Sequence, residues 1–107
     1  GGIAELKWVA EHAYMHSILM APHGTANGLL GLGALINVCA TLPANYIAFE
    51  YPSASDPWWE EIVTGLPSGR IVNESMIDLL PGPGLGLDID AKAAKRYLRE
   101  EDAGFFD

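Results

Sequence analysis

Two short apolar runs, at residues 17–21 and 46–49, constrain the fold of this chain more than any other feature. Neither run alternates apolar with polar residues, and this pattern is typical of strands buried on both faces, as in a parallel sheet. The first run ends at Pro-His-Gly (22–24) and the second at Glu-Tyr-Pro (50–52). We therefore predict two buried strands of one parallel sheet.

Helical patterns precede, separate and follow these runs. Between residues 3 and 16 apolar side chains recur every three or four positions, opposite Glu5 and Glu11, which predicts an amphipathic helix. Residues 25–41 predict a second, buried helix, and Asp-Pro at 56–57 predicts the start of a third helix over 58–64. This alternation with short connections is typical of parallel βα units, in an open sheet or a closed barrel. Because two strands do not form a stable parallel sheet alone, we expect further strands from elsewhere in the protein.

The pattern changes after Gly65. Residues 70–79 predict a small hairpin around Asn-Glu-Ser (73–75), and Pro-Gly-Pro-Gly (81–84) excludes regular structure. Residues 85–89 alternate as in a half-exposed strand, and we expect Asp90 to cap a short helix over 91–98.

Charge and cysteine content restrict the partners and the compartment. The net charge of -8 disfavours nucleic acid and anionic membrane surfaces as partners. The apolar segment 28–42 is shorter than the roughly 20 residues that span a bilayer, so we expect a buried helix there. One cysteine, Cys39, predicts a reduced, buried and inert thiol. With no secretory leader visible, we expect a cytoplasmic protein; the start at Gly1 without methionine points to a truncated or trimmed chain.

His23 and Glu50 are the candidate functional residues, because each directly follows or ends a predicted strand. Parallel sheets place reacting groups at the carboxyl ends of their strands, and histidine can act there as a general acid or base. The alternatives are a loop histidine that bonds locally and an exposed loop glutamate. His12 and His16 are four residues apart on one helix but lack a third ligand at a metal-site spacing, so we expect surface histidines. The glycines at 28, 31 and 33 match no dinucleotide fingerprint, Trp58-Trp59 favours a core or interface position, and Glu60-Glu61 favours a solvated helix edge.

Read together, these motifs resemble a known family. The order Ala-Pro-His-Gly-Thr (21–25), Phe-Glu-Tyr-Pro (49–52) and Pro-Gly-Pro-Gly-Leu-Gly-Leu-Asp (81–88) resembles the C-terminal region of mandelate racemase/muconate lactonizing enzyme-like members of the enolase superfamily, in particular acid-sugar dehydratases. The resemblance extends to about Leu98. It implies an α/β fold in which the chain is the C-terminal portion of a modified TIM barrel, an incomplete barrel by itself. Residues 1–66 would hold the sixth to eighth barrel helices with strands seven and eight. Residues 67–107 would return to an α+β capping domain.

The resemblance also implies a chemistry, abstraction of the proton α to a carboxylate with Mg²⁺ holding the enediolate. His23 matches the histidine of the seventh strand, a general base or acid that relatives pair with an aspartate of the sixth strand. Glu50 matches the glutamate of the eighth strand, which hydrogen-bonds a substrate carboxylate oxygen. That aspartate, the Mg²⁺ ligands and a second base would lie upstream of Gly1, so no metal ligand or other cofactor-binding residue is assigned in this chain.

The expected function is dehydration of a sugar-derived acid, an aldonate or aldarate, by a Mg²⁺-dependent hydro-lyase. A racemase or epimerase of a 2-hydroxy acid is the alternative within the enzyme class, and a non-catalytic remnant or assembly module is the alternative outside it. Relatives commonly form symmetric homo-oligomers, which we also expect of the full-length protein. The 107 residues alone are expected to be inactive and poorly soluble, because strand edges would be exposed.

Overall fold

The computed structural model describes residues 1–24, 28–51 and 57–107. The chain forms two compact units, Gly1–Ala54 and Ser55–Asp107. The proposed division into barrel residues 1–66 and capping residues 67–107 concerns the complete protein, and it stays a prediction. No helix in the described ranges is both long enough and apolar enough to cross a membrane.

The first unit contains two helices close to their predicted positions, α1 (Gly2–Met15) and α2 (Gly28–Cys39). The buried face of α1 consists of alanines, Ala10 and Ala13, whose small side chains allow close approach of the helix backbone. Residues of α2 are buried along most of its length, as its apolar sequence predicts. One apolar cluster joins the two helices to the segment that follows α2; it contains Leu6, Leu35, Val38, Cys39, Leu42, Tyr46 and Phe49.

Just after the C-terminal end of α1 the chain has a serine at a position where glycine is usual. The Ile18 amide donates to the Ala13 carbonyl and the Ser17 amide to the Tyr14 carbonyl, which is the Schellman pattern. The residue outside the helix end is Ser17, at a φ of 56°. A serine therefore takes the left-handed conformation that glycine adopts without a steric penalty.

The two predicted strands are present as extended segments, and they pair in parallel. An isolated parallel bridge joins Met20 and Tyr46. The Met20 amide donates to the Asn45 carbonyl at 2.8 Å and the Ile47 amide to the Met20 carbonyl at 3.0 Å. The pairing direction agrees with the prediction, although the bridge is too short to form a regular strand.

Burial of these segments on both faces requires the further strands that are expected from elsewhere in the protein, and it stays a prediction. Ile18, Leu19 and Ile47 are 55%, 63% and 59% exposed. In the part of the chain that the structure describes, the two segments pair with each other and with no further strand. Their remaining edges and part of their faces are consequently open.

The second unit has little regular structure. A two-residue strand β1 (Val63–Thr64) pairs antiparallel with β2 (Asp88–Ile89), and α3 (Ala91–Ala94) follows. Two 3₁₀ turns, Lys95–Tyr97 and Glu100–Asp102, continue the chain. The Asp90 side chain accepts a hydrogen bond from the Ala93 amide, so the predicted cap is confirmed, although the α-helix itself is shorter than 91–98.

The predicted helix over 58–64 is wrong. A 3₁₀ turn occupies Pro57–Trp59, a turn follows, and β1 begins at Val63. Ile62 and Val63 are buried, and such β-branched side chains fit a strand better than a helix. The Ile62 carbonyl also accepts from the Asp90 amide at 2.8 Å, which fixes this segment beside β2. The expected cap, Asp56, lies outside the described residues.

The hairpin predicted over 70–79 is present in its shortest form. Asn73 and Met76 form an antiparallel bridge and exchange two main-chain hydrogen bonds of 2.8 Å. The turn residues Glu74 and Ser75 have φ of 49° and 64°. Two positive φ values in a two-residue turn match the right-handed twist of a hairpin, although neither residue is the usual asparagine or glycine.

Two glycines, Gly65 and Gly86, allow backbone segments of the second unit to approach closely near the β1–β2 pair. A Cβ added to Gly65 would lie 2.6 Å from the Gly86 carbonyl oxygen, and one added to Gly86 would lie 2.4 Å from the Leu80 Cβ. Both residues also have positive φ, 97° and 79°. The Pro-Gly-Pro-Gly-Leu-Gly motif thus contains a glycine, Gly86, that a larger residue cannot replace without moving the backbone.

Candidate functional site

The candidate site lies where the two extended segments of the first unit end. The Glu50 amide donates to the Pro22 carbonyl at 3.0 Å and continues the parallel pairing that begins at Met20. Residues 22–23 of one segment therefore lie beside residue 50 of the other. This is the juxtaposition expected for the carboxyl ends of neighbouring parallel strands.

The structure brings His23 and Glu50 into direct contact. Nδ1 of His23 lies 2.9 Å from the main-chain carbonyl oxygen of Glu50. The contact uses the main-chain carbonyl of Glu50 and not its carboxylate. Both residues are exposed.

Asn45 holds these segments against α1. Its Nδ2 donates to the Ala10 carbonyl at 3.2 Å and to the Ile18 carbonyl at 2.9 Å. The residue is only 5% exposed, and its Oδ1 has no hydrogen-bond partner among the described residues. One buried amide therefore links the helix to the segment that leads to His23. The sequence gives no signal for this role, because an asparagine between helix and strand is also typical of a surface turn.

A cleft of about 440 Å³ opens beside His23. Its walls are mostly glycine and apolar side chains from the first half of α1 and from α2, among them Leu6, Val9, Ala34 and Leu35. The titratable side chains among its lining residues are His23 and Glu5, while Glu50 lies outside the lining. The site is consequently an open, largely apolar surface with one imidazole at its edge.

The thiol of Cys39 is buried in the apolar cluster with Leu35 and Val38, as the sequence predicts. Burial raises the pKa of Cys39 to about 11, although a hydrogen bond with Tyr46 acts in the opposite direction. The pKa of Tyr46 is also raised, chiefly by burial and then by Cys39. A thiol that stays protonated at neutral pH is a poor nucleophile, so Cys39 is a packing residue.

The remaining sequence candidates lie away from this contact. His12 on α1 and His16 at the C-terminal cap of that helix are exposed, with ring centroids 4.6 Å apart. Within residues 1–24, 28–51 and 57–107, no three histidine, cysteine, aspartate or glutamate side chains are grouped to hold a metal ion. The described residues therefore do not form a magnesium site.

In the second unit, the two acidic residues expected at a solvated edge are exposed but bonded. Glu60 accepts from the Ile71 amide at 2.8 Å, and Glu61 accepts from the Tyr97 hydroxyl at 2.6 Å and from Arg96 at 3.2 Å. The hydrogen bond to Glu61 raises the pKa of Tyr97. Trp58 stacks on Tyr97 with ring centroids 5.3 Å apart, so it has a packing role.

A model of the enolase C-terminal domain-like family matches residues 1–93. The chain belongs to this family. Membership implies the α/β fold class, in agreement with the mixture of helices and paired extended segments described above. It also confirms the resemblance on which the roles of His23 and Glu50 were predicted.

One curated relative is similar to nearly the whole chain. D-xylonate dehydratase of Haloferax volcanii is 30% identical to this chain over 105 residues. The match covers 98% of the chain but 24% of the relative, so the chain spans about a quarter of that protein's length. No solved structure matches the chain. The protein is thus an enolase-superfamily member related to an acid-sugar dehydratase.

Proposed function

We propose that the complete protein is a Mg²⁺-dependent dehydratase of a sugar acid and that this chain contributes an acid/base group and a substrate-binding group. The observation that carries the proposal is the contact between His23 and Glu50 at the paired ends of two parallel segments. The relation to a D-xylonate dehydratase favours dehydration over racemisation and an aldonate over other acids. The same family supports the larger architecture, a barrel completed by strands from outside this chain.

His23 carries the proton transfers in this proposal. Its imidazole accepts the proton α to the substrate carboxylate or donates a proton to the departing hydroxyl, which then leaves as water. Imidazole serves both directions near neutral pH because its two protonation states are close in free energy there. The net reaction is loss of one water from a 2,3-dihydroxy acid, and the resulting enol rearranges to the 2-keto acid.

Glu50 binds the substrate carboxylate. A hydrogen bond between two carboxyl groups requires that one of them carries a proton, because ionised carboxylates only accept. We therefore propose that the pair shares a proton when substrate is bound. A glutamine at position 50 would keep a donor at the same place, whereas an alanine would not.

The described residues do not form a site for the magnesium ion, so no step proposed for this chain uses a metal ligand of its own. We propose that its ligands lie in the part of the protein outside this chain. A divalent cation is the expected source of charge neutralisation beside a carboxylate whose α-proton is removed. Homo-oligomerisation and a cytoplasmic location stay predictions.

A product assay tests the proposal. The longest natural polypeptide that contains this chain is incubated with Mg²⁺ and a panel of aldonates and aldarates, and the products are identified by NMR. We expect a 2-keto-3-deoxy acid from at least one aldonate. Epimerised substrate without loss of water would instead support the racemase alternative. Absence of both products across the panel would contradict the proposed chemistry.

Two variants at position 50 examine the binding role. We expect Glu50→Gln to retain more activity than Glu50→Ala, with the difference mainly in KM. Equal values for both variants would show that the carboxyl group does not contact the substrate. We expect no turnover from the 107-residue chain itself, because it spans only about a quarter of the length of the related dehydratase. Turnover by this chain would contradict the proposal that residues outside it are required.

A further inference from the structure

We propose that His12 and His16 form a two-ligand site for a late first-row divalent metal ion, of the class of Cu²⁺, Ni²⁺ and Zn²⁺. This site is separate from the magnesium site of the proposed reaction and does not depend on that reaction. An ion held by the pair clamps the last turn of α1, from which the chain continues into the segment that ends at His23.

The two histidines are placed as neighbouring ligands of one ion. His12 lies in α1 and His16 at its C-terminal cap, four residues further along. Residues four apart on a helix are neighbours on its surface, and metalloproteases hold zinc with two helical histidines at this spacing. Two ring nitrogens that bind one ion at about 2 Å and at a right angle hold their ring centroids about 4.5 Å apart. The observed separation of the centroids is 4.6 Å, which fits this arrangement.

The chemistry of the two side chains selects the class of ion. Imidazole nitrogen suits Cu²⁺, Ni²⁺ and Zn²⁺, whereas Mg²⁺ prefers oxygen ligands and keeps several of its waters. Within the described ranges, no third histidine, cysteine, aspartate or glutamate joins the pair. Water therefore completes the coordination, and the ion exchanges readily, unlike zinc in a closed structural site.

The pair is accessible without any change in the packing of α1. Both histidines are exposed, as the sequence predicts. The buried face of the helix consists of Ala10 and Ala13, and the large side chains Trp8 and Met15 are exposed like the histidines. An ion consequently reaches the two rings from solvent.

A bound ion reinforces the hydrogen bonds that close the end of α1. The His16 amide donates to the Ala13 carbonyl at 3.1 Å, and the Ile18 amide donates to the same carbonyl at 2.9 Å. Unwinding of this turn separates the rings of residues 12 and 16, so an ion that binds both rings opposes unwinding. Binding to the ordered turn alone stabilises that turn by mass action.

Titration calorimetry tests the site in the longest natural polypeptide that contains this chain. CuCl₂, NiCl₂ and ZnCl₂ are added separately near neutral pH, with MgCl₂ in excess so that sites made of oxygen ligands are occupied. We expect Cu²⁺ to bind most tightly, in line with the general order of affinities for nitrogen ligands. We expect His16→Ala to raise the Kd for each ion about tenfold or more, because the second imidazole binds at a high effective concentration.

A matched variant keeps two histidines but removes their common face. Tyr14→His combined with His16→Ala places the histidines two residues apart, where helical side chains do not face each other. Tyr14 is exposed, so we expect the fold to tolerate this change. The affinity of the double variant should equal that of His16→Ala. Wild-type affinity in either variant would show an adventitious ion only and would overturn the proposal.

Hydrogen exchange tests the clamp. At a ZnCl₂ concentration about ten times the Kd, exchange of the Ser17 and Ile18 amides should slow by about tenfold in the wild-type protein. The same ZnCl₂ concentration should leave these amides nearly unchanged in the double variant. Zinc that binds the pair without slowing the two amides would contradict the clamp. Neither measurement uses turnover, so the result does not depend on whether a sugar acid is dehydrated.

Discussion

The two units of this chain are stabilised in different ways. In the first unit, two helices of 14 and 12 residues pack on extended segments that pair through one bridge and keep large apolar side chains exposed. In the described part of the second, residues 57–107, the longest α-helix has four residues, and order comes from glycines, a cap and side-chain hydrogen bonds to carboxylates. The comparison indicates that the first unit leaves its paired segments and the candidate residues His23 and Glu50 exposed, whereas the order of the second depends on a few backbone positions.

The largest expected effect is in the second unit. Gly86→Ala places a Cβ 2.4 Å from the Leu80 Cβ at a φ of 79°, so overpacking and strain act together. We expect a loss of about 3 kcal/mol or more in the free energy of unfolding, measured by urea denaturation.

Gly84→Ala is the matched control, because its φ of 65° is also positive but nothing lies within 4 Å of the added Cβ. We expect a loss of about 1 kcal/mol, from backbone conformation alone. Equal losses for the two variants would show that the close approach at Gly86 does not stabilise the unit.

In the first unit, the largest effect is expected at Asn45. Asn45→Ala removes the donor to the carbonyls of Ala10 and Ile18 at a position that is only 5% exposed. We expect a loss of about 2 kcal/mol in denaturant unfolding. A loss no larger than that of an ordinary surface substitution, about 0.5 kcal/mol, would refute a special role for Asn45.

Cys39 should make the first unit sensitive to alkaline pH. Its folded pKa of about 11 lies above the ordinary pKa of 9.0, so the unfolded state releases the proton first as the pH rises. Stability contributed by the protonated thiol is full below pH 9 and falls between about pH 9 and 11, at up to about 1.4 kcal/mol per pH unit. Cys39→Ala should flatten the pH profile in this range, although Tyr46 leaves a smaller slope. An unchanged profile would contradict burial as the cause of the raised pKa.

The smallest effect is expected at the exposed pair Tyr97 and Glu61. Glu61→Gln removes the charge that raises the pKa of the Tyr97 hydroxyl, so that pKa should fall towards its ordinary value. A group whose pKa is raised on folding stabilises the protein below that pKa, and this stability is lost as the pH rises through it. The variant lacks this contribution, so it should lose less stability at alkaline pH. An NMR titration of Tyr97 measures the shift, and a constant pKa would show that the hydrogen bond is absent in solution.

The same contrast explains how far the sequence predicts the structure. The helices of the first unit and the parallel direction of its segments follow from apolar periodicity and from connection lengths. The caps and turns of the second unit follow from Asp90 and from the residues at 73–75. These signals are local, because the residues that produce each of them lie close together in the sequence.

What the sequence does not predict involves contacts distant in the chain. Burial of Ile18, Leu19 and Ile47 stays a prediction, because it requires partner strands that the described residues do not supply. The segment 58–64 carries a helix-start signal, yet Ile62 and Val63 are placed by pairing with the chain near Asp90. Within the site, the positions of His23 and Glu50 were predictable from strand ends. The contact of His23 with the main-chain carbonyl of Glu50 was not predictable, because every residue has such a carbonyl.

The central claim is that His23 transfers a proton during dehydration of a sugar acid. Steady-state kinetics of the His23→Gln variant of the full-length protein test this claim most directly. With a sugar acid that the wild-type protein dehydrates, we expect kcat to fall by about 10³-fold or more with KM changed only a few-fold, because an acid/base group acts in the transition state. A variant that dehydrates the same acid at a rate close to that of the wild type would contradict the account.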